Sequence, residues 1–474
     1  LPPPPPAPRS LPVGGSSVHW DTLALLLQRG IISQGDFDAA TRDLRESMGA
    51  RGPDTNTLVL GRWRTTLYGF VQADVMWHST QSFNDFGSNF QVARPGTYAG
   101  DHGRFQWSIR DSRIGLRIQA PETRYLRVSG VFELDLLGPT GTPGSTITEA
   151  SYFNNPNLRV RHAYLKLETP IVDVLFGQYW HLFGWQPYYF ATVVQWPSLV
   201  GELFSRTAQL RVSKTFKTPY VQTELAVMAF RSPERDSGLP AGQAGLRIVF
   251  PKWTAWHTGY LTSTGLSAAS IAVSGDLRRF TLPEFSATPK EAKSALGGGV
   301  SVSAYLPIIP AKAARKDNSL SLVGEFVTGA GISEMYVGLT GGVANAPLPN
   351  PTMATPAPTY SANIDAGLAV YDASGALRLP RWTNFLVGLE YYVPGVGGRL
   401  TLFSNFSRSY LHDADQLGAA AKVRRSEIFC NAGLFVDPSD ALRFGVDYGR
   451  FDDEYADGVH AVNHAVQLTG FLFF

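Results

Sequence analysis

The sequence AVQLTGFLFF, residues 465–474, places an apolar residue at every second position up to the last residue. Side chains alternate between the two faces of an extended strand. One face of this segment therefore carries Val466, Leu468, Gly470, Leu472 and Phe474. An alternating final strand with a terminal Phe is typical of the signal that outer-membrane β-barrels present to their insertion machinery, so the segment predicts a transmembrane barrel strand.

The same two-residue period extends through the chain from residue 66 onward. Clear examples are TLYGFVQADVMW (66–77), YLRVSGVFELDLL (125–137) and ALRFGVDYGRF (441–451). In each, the charged residues fall on one face, which must meet water, and the apolar residues fall on the other. A water-soluble β-sandwich would show the same alternation, so the pattern alone does not distinguish the two folds.

The lengths of the connections between strands favour the membrane barrel. Tight turns alternate with long connections along the chain. The tight turns are 121–123, 169–170, 218–219, 394–397 and 437–441. The long connections are 80–102, 138–156, 181–204, 232–242, 282–296, 330–380, 411–423 and 453–461. Short turns on one rim and long loops on the other are typical of a bacterial barrel with an even number of strands. Sixteen strands are predicted, near 66–79, 103–119, 124–137, 157–168, 171–180, 205–216, 220–231, 243–250, 266–281, 297–307, 318–329, 381–393, 398–410, 424–436, 441–452 and 462–474. Two expected short turns, 251–265 and 308–317, are longer than this scheme requires, and an extra hairpin around WTAWHTGYL (253–261) would raise the count to eighteen.

The composition is consistent with an all-β membrane protein. Hydrophobic residues make up 44% of the chain and charged residues 17%, and no apolar run is long enough for a transmembrane helix. The formal net charge of +2 gives no reason to expect a nucleic-acid partner. Cys430 is the only cysteine, which excludes a disulfide framework and a cysteine metal site, and we expect no cofactor. The chain opens at Leu1 without Met, as expected of an exported protein whose leader has been removed.

The N-terminal part of the chain differs from the rest. Residues 1–17 form a Pro- and Gly-rich leader, and residues 18–50 predict a short periplasmic helical hairpin. Residues 51–65 would link this hairpin to a barrel spanning 66–474. The hairpin is too small to be stable alone, so we expect it to pack on the barrel mouth, on a neighbouring subunit or on a periplasmic partner; the alternative is disorder.

A barrel of about sixteen strands is wide enough to hold an aqueous channel. Residues 181–204 (HLFGWQPYYFATVVQWPSLVGELF) are rich in aromatic residues and have Glu202 as their only charged side chain. A loop this apolar would be unfavourable in water, which predicts a constriction loop folded into the lumen. A lid or a subunit contact is the alternative. The candidate constriction residues are Trp185, Tyr188, Tyr189, Phe190 and Trp196.

Arginines on the predicted water-facing side are concentrated on the first eight strands. A β-bulge near Asp111 would place Arg110 and Arg113 inside together. The candidate pore-lining residues are Arg110, Arg113, Arg117, Arg127, Arg159, Arg161, Arg211, Arg247, Asp74, Glu133 and Asp135. Guanidinium groups in a narrowed channel attract carboxylates, sulfonates and phosphates. The alternative for any single arginine is a salt bridge within the barrel wall.

Patterns typical of enzymes are absent from the sequence. It contains no Gly-x-Ser-x-Gly, P-loop or His-Glu-x-x-His motif. His460 and His464 would lie about 13 Å apart along a strand, too far to share a metal ion. An outer-membrane hydrolase with residues scattered over loops is a third hypothesis, for which no acid, base or nucleophile cluster is found.

An ordered set of short motifs resembles the DcaP-like porins, which are related in style to the phosphate-selective porins. The motifs are TLYGFVQAD (66–74), SRIG (112–115), FELD (132–135), RVRHAYLKL (159–167), FGQYWHLFG (176–184) and AQLRVS (208–213). The resemblance implies a homotrimer of sixteen-stranded barrels, each narrowed by its third loop, that passes small and often negatively charged organic solutes. It also implies that Arg113, Arg159, Arg161 and Arg211 line the pore. The proline leader and the long 330–380 loop depart from the family pattern.

These observations predict a bacterial outer-membrane porin that allows passive diffusion of small polar, preferably anionic, solutes. Its expected partners are outer-membrane lipid, small anions and two further copies of itself. The alternative is a structural or interaction protein on the same barrel, with a lumen closed by loops such as 330–380.

Overall fold

A computed structural model of the chain describes most of the predicted barrel and little of the N-terminal part. Residues 1–50, which hold the leader and the predicted helical hairpin, lie outside the described residues apart from Arg29. The described residues are 29, 57–83, 91–138, 157–185, 190–193, 199–234, 237–258, 265–284, 286, 288–312, 316–336, 364, 367–372, 376–417 and 420–474.

The described chain forms one large antiparallel β-barrel. The strands are β1 (Thr57–Leu60), β2 (Trp63–His78), β3 (Arg104–Ser108), β4 (Arg113–Gln119), β5 (Arg127–Gly138), β6 (Asn157–Glu168), β7 (Asp173–Trp180), β8 (Arg206–Lys217), β9 (Gln222–Phe230), β10 (Ala241–His257), β11 (Gly265–Pro283), β12 (Ala292–Ile309), β13 (Ser319–Ala330), β14 (Val370–Tyr371), β15 (Leu377–Arg378), β16 (Arg381–Tyr392), β17 (Leu400–Leu411), β18 (Arg424–Ser439), β19 (Leu442–Tyr455) and β20 (His460–Phe473).

Pairing between the first and last barrel strands closes the ring. β2 pairs with β20 on one side and with β3 and β4 on the other, and every other barrel strand pairs with its neighbours in sequence. Counting β3 and β4 as one interrupted strand gives sixteen barrel strands, as predicted. Two elements are additional: β1 forms a hairpin with β2, and β14 pairs with β15 inside the long 331–380 connection.

The eighteen-strand alternative is wrong. Residues 254–257 do not start a new hairpin, because they continue β10 and pair with residues 265–268 of β11. The pairing register shifts between Phe250 and Thr254, which marks a bulge in one long strand. The long strand explains why the connection after residue 250 looked too long for a turn.

The two faces of the wall separate apolar from polar side chains as the alternation predicts. On β2, Val71 and Trp77 are exposed on the outside, whereas Gln72, Asp74 and His78 are buried on the inside. β19 and β20 repeat the pattern, with Phe444, Tyr448, Leu468 and Leu472 outward and Arg443, Asp447, Asn463 and Gln467 inward. The exposed apolar side is the face that lipid would cover.

Two bulges bring extra charged side chains into the lumen. Asp74 pairs with Ser108 and Phe70 pairs with Arg113, so the β3–β4 segment has one residue more than β2 opposite it. This is the predicted bulge near Asp111, and Arg110, Asp111 and Arg113 are all buried. A second bulge lies in β6.

The connections on the two rims differ in length as predicted. Those after β6, β8 and β18 are tight (169–172, 218–221 and 440–441), whereas those after β2, β5, β7 and β13 are long (79–103, 139–156, 181–205 and 331–380). A single-turn helix, α1 (Tyr98–Asp101), and short 3₁₀ turns lie in these connections. None of the helices in the described part of the chain has the length and apolarity of a transmembrane helix.

Replacing Leu468 with Arg should destabilise the folded protein in lipid. Leu468 lies near the middle of β20 and is exposed on the outer face, where a charged group would be placed in hydrocarbon. We expect a loss of about 2–4 kcal/mol in the free energy of unfolding, measured by urea titration in vesicles. Tyr220→Arg, at the exposed tip of the 218–221 turn, is the control and should cost about 0–1 kcal/mol. Equal losses for the two variants would contradict the membrane-facing assignment.

Candidate functional site: the wall and loop of the barrel lumen

The inner wall at β5 and β6 carries a dense ion-pair network. Arg159 contacts both oxygens of Asp135, with Nε–Oδ1 at 3.0 Å and Nη2–Oδ2 at 2.6 Å. Arg161 bridges the two acidic residues of the FELD motif, because its Nε donates to Glu133 Oε1 at 2.8 Å and its Nη1 to Asp135 Oδ2 at 3.0 Å. Two carboxylates and two guanidinium groups therefore neutralise one another at this point of the wall.

The bulge in β6 explains how the network is assembled. Glu133 pairs with His162 and Leu134 pairs with Val160, so Arg161 is the extra residue and both Arg161 and His162 are buried on the inside. Strict alternation would have placed His162 outside, which is why the sequence analysis missed it. Consecutive basic residues in an alternating strand, as in RVRH, are a signal that could have indicated the bulge.

Neighbouring strands add further groups to the same network. Arg113 Nε lies 3.6 Å from Glu133 Oε1, and the Tyr68 hydroxyl donates to Glu133 Oε2 at 2.9 Å. Deeper in the wall, Gln72 Nε2 donates to both oxygens of Asp74, at 2.9 and 3.0 Å. Arg110 is buried at the β3–β4 bulge. For Arg113, Arg159 and Arg161 the structure shows the wall salt bridges that the sequence analysis kept as an alternative.

A second set of lumen-facing groups combines arginine with aromatic rings. The Arg117 guanidinium lies over the Tyr68 ring at 5.0 Å, and that of Arg211 lies over the Tyr179 ring at 5.4 Å. Arg211 also donates to Gln209 Oε1 at 3.0 Å and to the Trp180 carbonyl at 2.6 Å. The Tyr164 and Tyr179 rings meet edge to face at 4.8 Å, which joins the two arginine–tyrosine pairs into one surface. We call Tyr68, Arg117, Tyr164, Tyr179 and Arg211 the basic–aromatic wall.

The other two predicted arginines lie away from this wall. Arg127 is exposed at the start of β5, where it pairs with Glu122 at 2.9 Å and with Glu168 at 3.6 Å. Arg247 lies on β10 directly opposite Glu224 of β9 in the sheet register. The structure thus brings most of the predicted arginines together on β3–β8 and leaves these two at its margins.

The described parts of residues 181–204 (181–185, 190–193 and 199–204) are largely buried, and they hydrogen-bond to inward-facing side chains of the barrel wall. Near the start, the backbone N–H groups of Leu182 and Phe183 both donate to Gln243 Oε1 at 2.9 Å, and Gly184 N donates to Ser274 Oγ at 3.0 Å. We call residues 181–204 the constriction loop, after the role that the sequence predicts for them.

The middle and end of the constriction loop reach the far side of the barrel. Asn405 Nδ2 on β17 donates to the Ala191 carbonyl at 2.7 Å, and Thr192 Oγ1 donates to Asp447 Oδ2 on β19 at 3.3 Å. Asn384 on β16 donates to the Gly201 carbonyl, and Leu203 N donates to Glu325 Oε1 on β13 at 3.0 Å. Together with the contacts to β10 and β11, these bonds place the loop against β10–β13 and β16–β19, across from the basic–aromatic wall.

Apolar packing fills the space between the loop and the far wall. Phe190 lies among Tyr305, Val323 and Leu386, and Leu199 and Val200 belong to the same buried cluster. Trp185 covers Gly245, where a Cβ atom would be 2.3 Å from the indole ring, so glycine is required there. Tyr188, Tyr189 and Trp196, the other predicted constriction residues, lie outside the described residues.

Two titratable groups of the constriction loop have shifted pKa values. Burial, with a further contribution from the charge of Glu325, raises the pKa of the Glu202 carboxyl well above its usual range. Burial, together with the charge of Arg278, lowers the pKa of His181 to about 3. Both side chains therefore favour the neutral form when the loop is packed. Among the described residues, no group of three His, Cys, Asp or Glu side chains is arranged to hold a metal ion.

Comparison with solved structures identifies the architecture. The outer-membrane channel DcaP of Acinetobacter baumannii superposes with a TM-score of 0.60 and 17% sequence identity, over 88% of this chain and 99% of that one. The fold is that of an outer-membrane porin. Pseudomonas putida OprB matches with a TM-score of 0.50 and 12% identity, over 86% of this chain and 94% of that one. Salmonella typhi OmpF matches with a TM-score of 0.50 and 9% identity, over 88% of this chain and 100% of that one.

The likeness to DcaP confirms the fold expected from the motif resemblance. The likeness is one of three-dimensional structure, because only 17% of the aligned residues are identical. No protein-family model matches the sequence, and comparison with curated protein sequences gives no match. The porin fold is thus established by three-dimensional similarity, and solute preference has to be argued from the residues of this chain.

Replacing Glu202 with Gln should strengthen the attachment of the constriction loop at neutral pH. Because packing raises the Glu202 pKa, its stabilising effect is complete below about pH 4.5 and is lost as the pH rises through the packed-state pKa. Gln cannot ionise, so at pH 8 the variant should unfold at a temperature about 2 °C or more above wild type, and at pH 4 the two should coincide. Circular dichroism melting in detergent measures both.

The matched control is Glu291→Gln, which removes an exposed carboxylate from an outer connection. It should leave the difference between pH 4 and pH 8 as in wild type. A Glu202→Gln variant with no pH-dependent gain would show that this carboxyl is not packed as described.

Proposed function

We propose that this chain is an outer-membrane diffusion channel for small polar solutes with a preference for anions. The observation that carries the proposal is the division of the lumen into two unlike halves. The constriction loop packs on β10–β13 and β16–β19, whereas the basic–aromatic wall lies across from it on β2 and β4–β8. A solute passing between the two halves would meet guanidinium groups and tyrosine rings on one side.

The anion preference is expected to come in part from Arg117 and Arg211, whose guanidinium groups lie over tyrosine rings of the lumen wall. Arg113, Arg159 and Arg161 are matched by Glu133 and Asp135, so their fields are largely cancelled at short range. The Arg117 guanidinium lies over the Tyr68 ring, and that of Arg211 lies over the Tyr179 ring and donates to Gln209 Oε1 and to the Trp180 carbonyl. A guanidinium held on an aromatic ring keeps its charge and can still donate hydrogen bonds to an anion.

The double variant Arg117→Gln/Arg211→Gln should lower the preference for anions. With a salt gradient across a planar bilayer, the reversal potential should shift toward cation selectivity, with the anion-to-cation permeability ratio falling roughly twofold or more. The control is Arg279→Gln on the outward-facing side of β11, which should leave the reversal potential unchanged. An unchanged potential in the folded double variant would overturn the assignment of the basic–aromatic wall.

A second candidate function is a structural or interaction protein with a closed lumen. The observation that favours it is the amount of apolar packing contributed by loops inside the barrel. Two further connections contribute buried apolar side chains besides the constriction loop. These are Phe83 and Val92 of the first long connection, and Met335, Tyr336 and Leu368 of the 331–380 connection. A purified barrel that carries no ion current and does not swell liposomes in sugar or amino-acid solutions would support this second function.

Assembly into a homotrimer remains a proposal from the resemblance to DcaP-like porins. Chemical cross-linking of the detergent-purified protein, followed by mass measurement, tests it directly. Contact of residues 18–50 with a periplasmic partner also stays a prediction, since these residues lie outside the described part of the chain except for Arg29.

A further inference from the structure

The two ends of the constriction loop lie next to each other at the inner face of β10 and β11. His181 N donates to the Ser205 carbonyl at 3.0 Å, which closes the base of the loop. Leu182 and Leu203 both belong to one buried apolar cluster. Anything that contacts this base can therefore control both ends of the loop at once.

The first end is held by a chain of buried polar groups that leads to Arg278. Gln243 accepts hydrogen bonds from Leu182 N and Phe183 N, both at 2.9 Å. The same side chain donates from Nε2 to Asp276 Oδ1 at 2.7 Å, and Asp276 Oδ2 accepts from Arg278 Nε at 2.7 Å.

Arg278 joins this chain to the start of the long 331–380 connection. It is only 1% exposed, although it points into the lumen. Its Nη1 donates to the Gly331 carbonyl at 3.1 Å and to Glu334 Oε1, and its Nη2 lies 3.3 Å from Met335 Sδ. The guanidinium is thus shared between the wall and a 3₁₀ turn, Ser333–Met335, of the long connection.

The same 3₁₀ turn holds the second end of the constriction loop. Phe204 N donates to the Met335 carbonyl at 2.7 Å, and Leu203 forms an antiparallel bridge with Tyr336. Ile332, Met335 and Tyr336 are buried with Leu182 and Leu203 in the apolar cluster. One short segment thus contacts both ends of the loop, directly at residues 203–204 and through Arg278, Asp276 and Gln243 at residues 182–183.

We propose that residues 331–336, anchored by Arg278, act as a clamp that fixes the constriction loop and so sets the width of the passage. This inference rests on the channel function proposed above. It adds a positioning role for the start of the 331–380 connection, which lies on the rim that carries the long connections. Arg278 is a positioning residue here. The Arg278 charge is matched by Asp276 and Glu334 and is shielded from solvent. Arg278 should therefore affect the stability of the open conductance state without affecting ion selectivity.

The test uses Glu334→Ala in the full-length protein. This variant removes the hydrogen bond that Arg278 donates to the Glu334 carboxylate and leaves the Arg278–Asp276 pair and the hydrogen bond from Arg278 to the Gly331 carbonyl. Since a hydrogen bond to a charged group is being lost, the fraction of time spent at altered conductance levels should rise about tenfold or more in single-channel recordings. The reversal potential should stay at the wild-type value.

The matched control is Asp415→Ala. Asp415, in the connection between β17 and β18, also pairs with an arginine, Arg425 of β18, at 2.5 Å, but its side chain is exposed and distant in sequence from the clamp. Its current traces should be indistinguishable from wild type. Increased switching in both variants would indicate a general loosening of the outer connections and would overturn the clamp.

A disulfide between positions 203 and 336 provides a rescue experiment. Leu203→Cys/Tyr336→Cys joins two residues that face each other in an antiparallel bridge, and Cys430→Ser removes the native thiol. Under oxidising conditions the cross-link should return the Glu334→Ala channel to steady conductance, and a reductant should restore the switching. Identical traces before and after reduction, with the cross-link verified by mass, would overturn the proposal.

The results of these experiments distinguish a failure of the clamp proposal from a failure of the proposed channel function. Wild-type protein that carries no current would remove the channel function itself. Wild-type current that Glu334→Ala leaves unchanged would remove only the clamp. Glu334→Ala is replaced as the test if its far-ultraviolet circular dichroism shows that it does not fold. In that case the 203–336 cross-link is placed in the otherwise wild-type chain, where it should reduce the switching between conductance levels. Unreduced switching would contradict the clamp.

Discussion

Hydrocarbon cannot hydrogen-bond to a peptide group, and this single constraint organises the protein. Every N–H and C=O group of a membrane-crossing strand must find a partner in a neighbouring strand, which only a closed ring provides. Pairing of β2 with β20 completes that ring, and the Gly69–Phe474 backbone pair extends it to the last residue of the chain. Once the ring is closed, one side of every strand faces lipid and the other faces an enclosed interior.

The enclosed interior then obeys the rules for buried charge. A guanidinium or carboxylate removed from water is stable only when an opposite charge and hydrogen bonds replace the lost hydration. Three buried groups satisfy this requirement: Arg161 with Glu133 and Asp135, Arg278 with Asp276 and Glu334, and Arg424 with Asp453. Counting lumen arginines is therefore a poor guide to the field in the passage.

The barrel could be predicted from the sequence because its signals are local. Two-residue alternation identified the strands and their outward faces, and the parity break around Asp111 identified the first bulge. The adjacent basic residues of RVRHAY could have indicated a second bulge, but which of Arg161 and His162 is the extra residue depends on the pairing with Glu133 across the sheet. The apolar composition of residues 181–204 agrees with the burial of the parts that the structure describes, 181–185, 190–193 and 199–204. Their attachment through Gln243, Asp276 and Arg278 could not be predicted, since it joins residues as far apart in sequence as Leu182 and Arg278, whose proximity arises only when the ring closes.

The unequal division of the lumen has an electrical consequence. With basic groups on β4–β8 and an apolar loop across from them, the potential changes across the barrel as well as along its axis. A molecule with separated charges that enters this space experiences a torque before it experiences a net force. If the barrel conducts as proposed, the negative end of such a molecule should turn toward Arg117 and Arg211 and its apolar part toward the loop, so that its orientation, as well as its size and charge, would affect its passage.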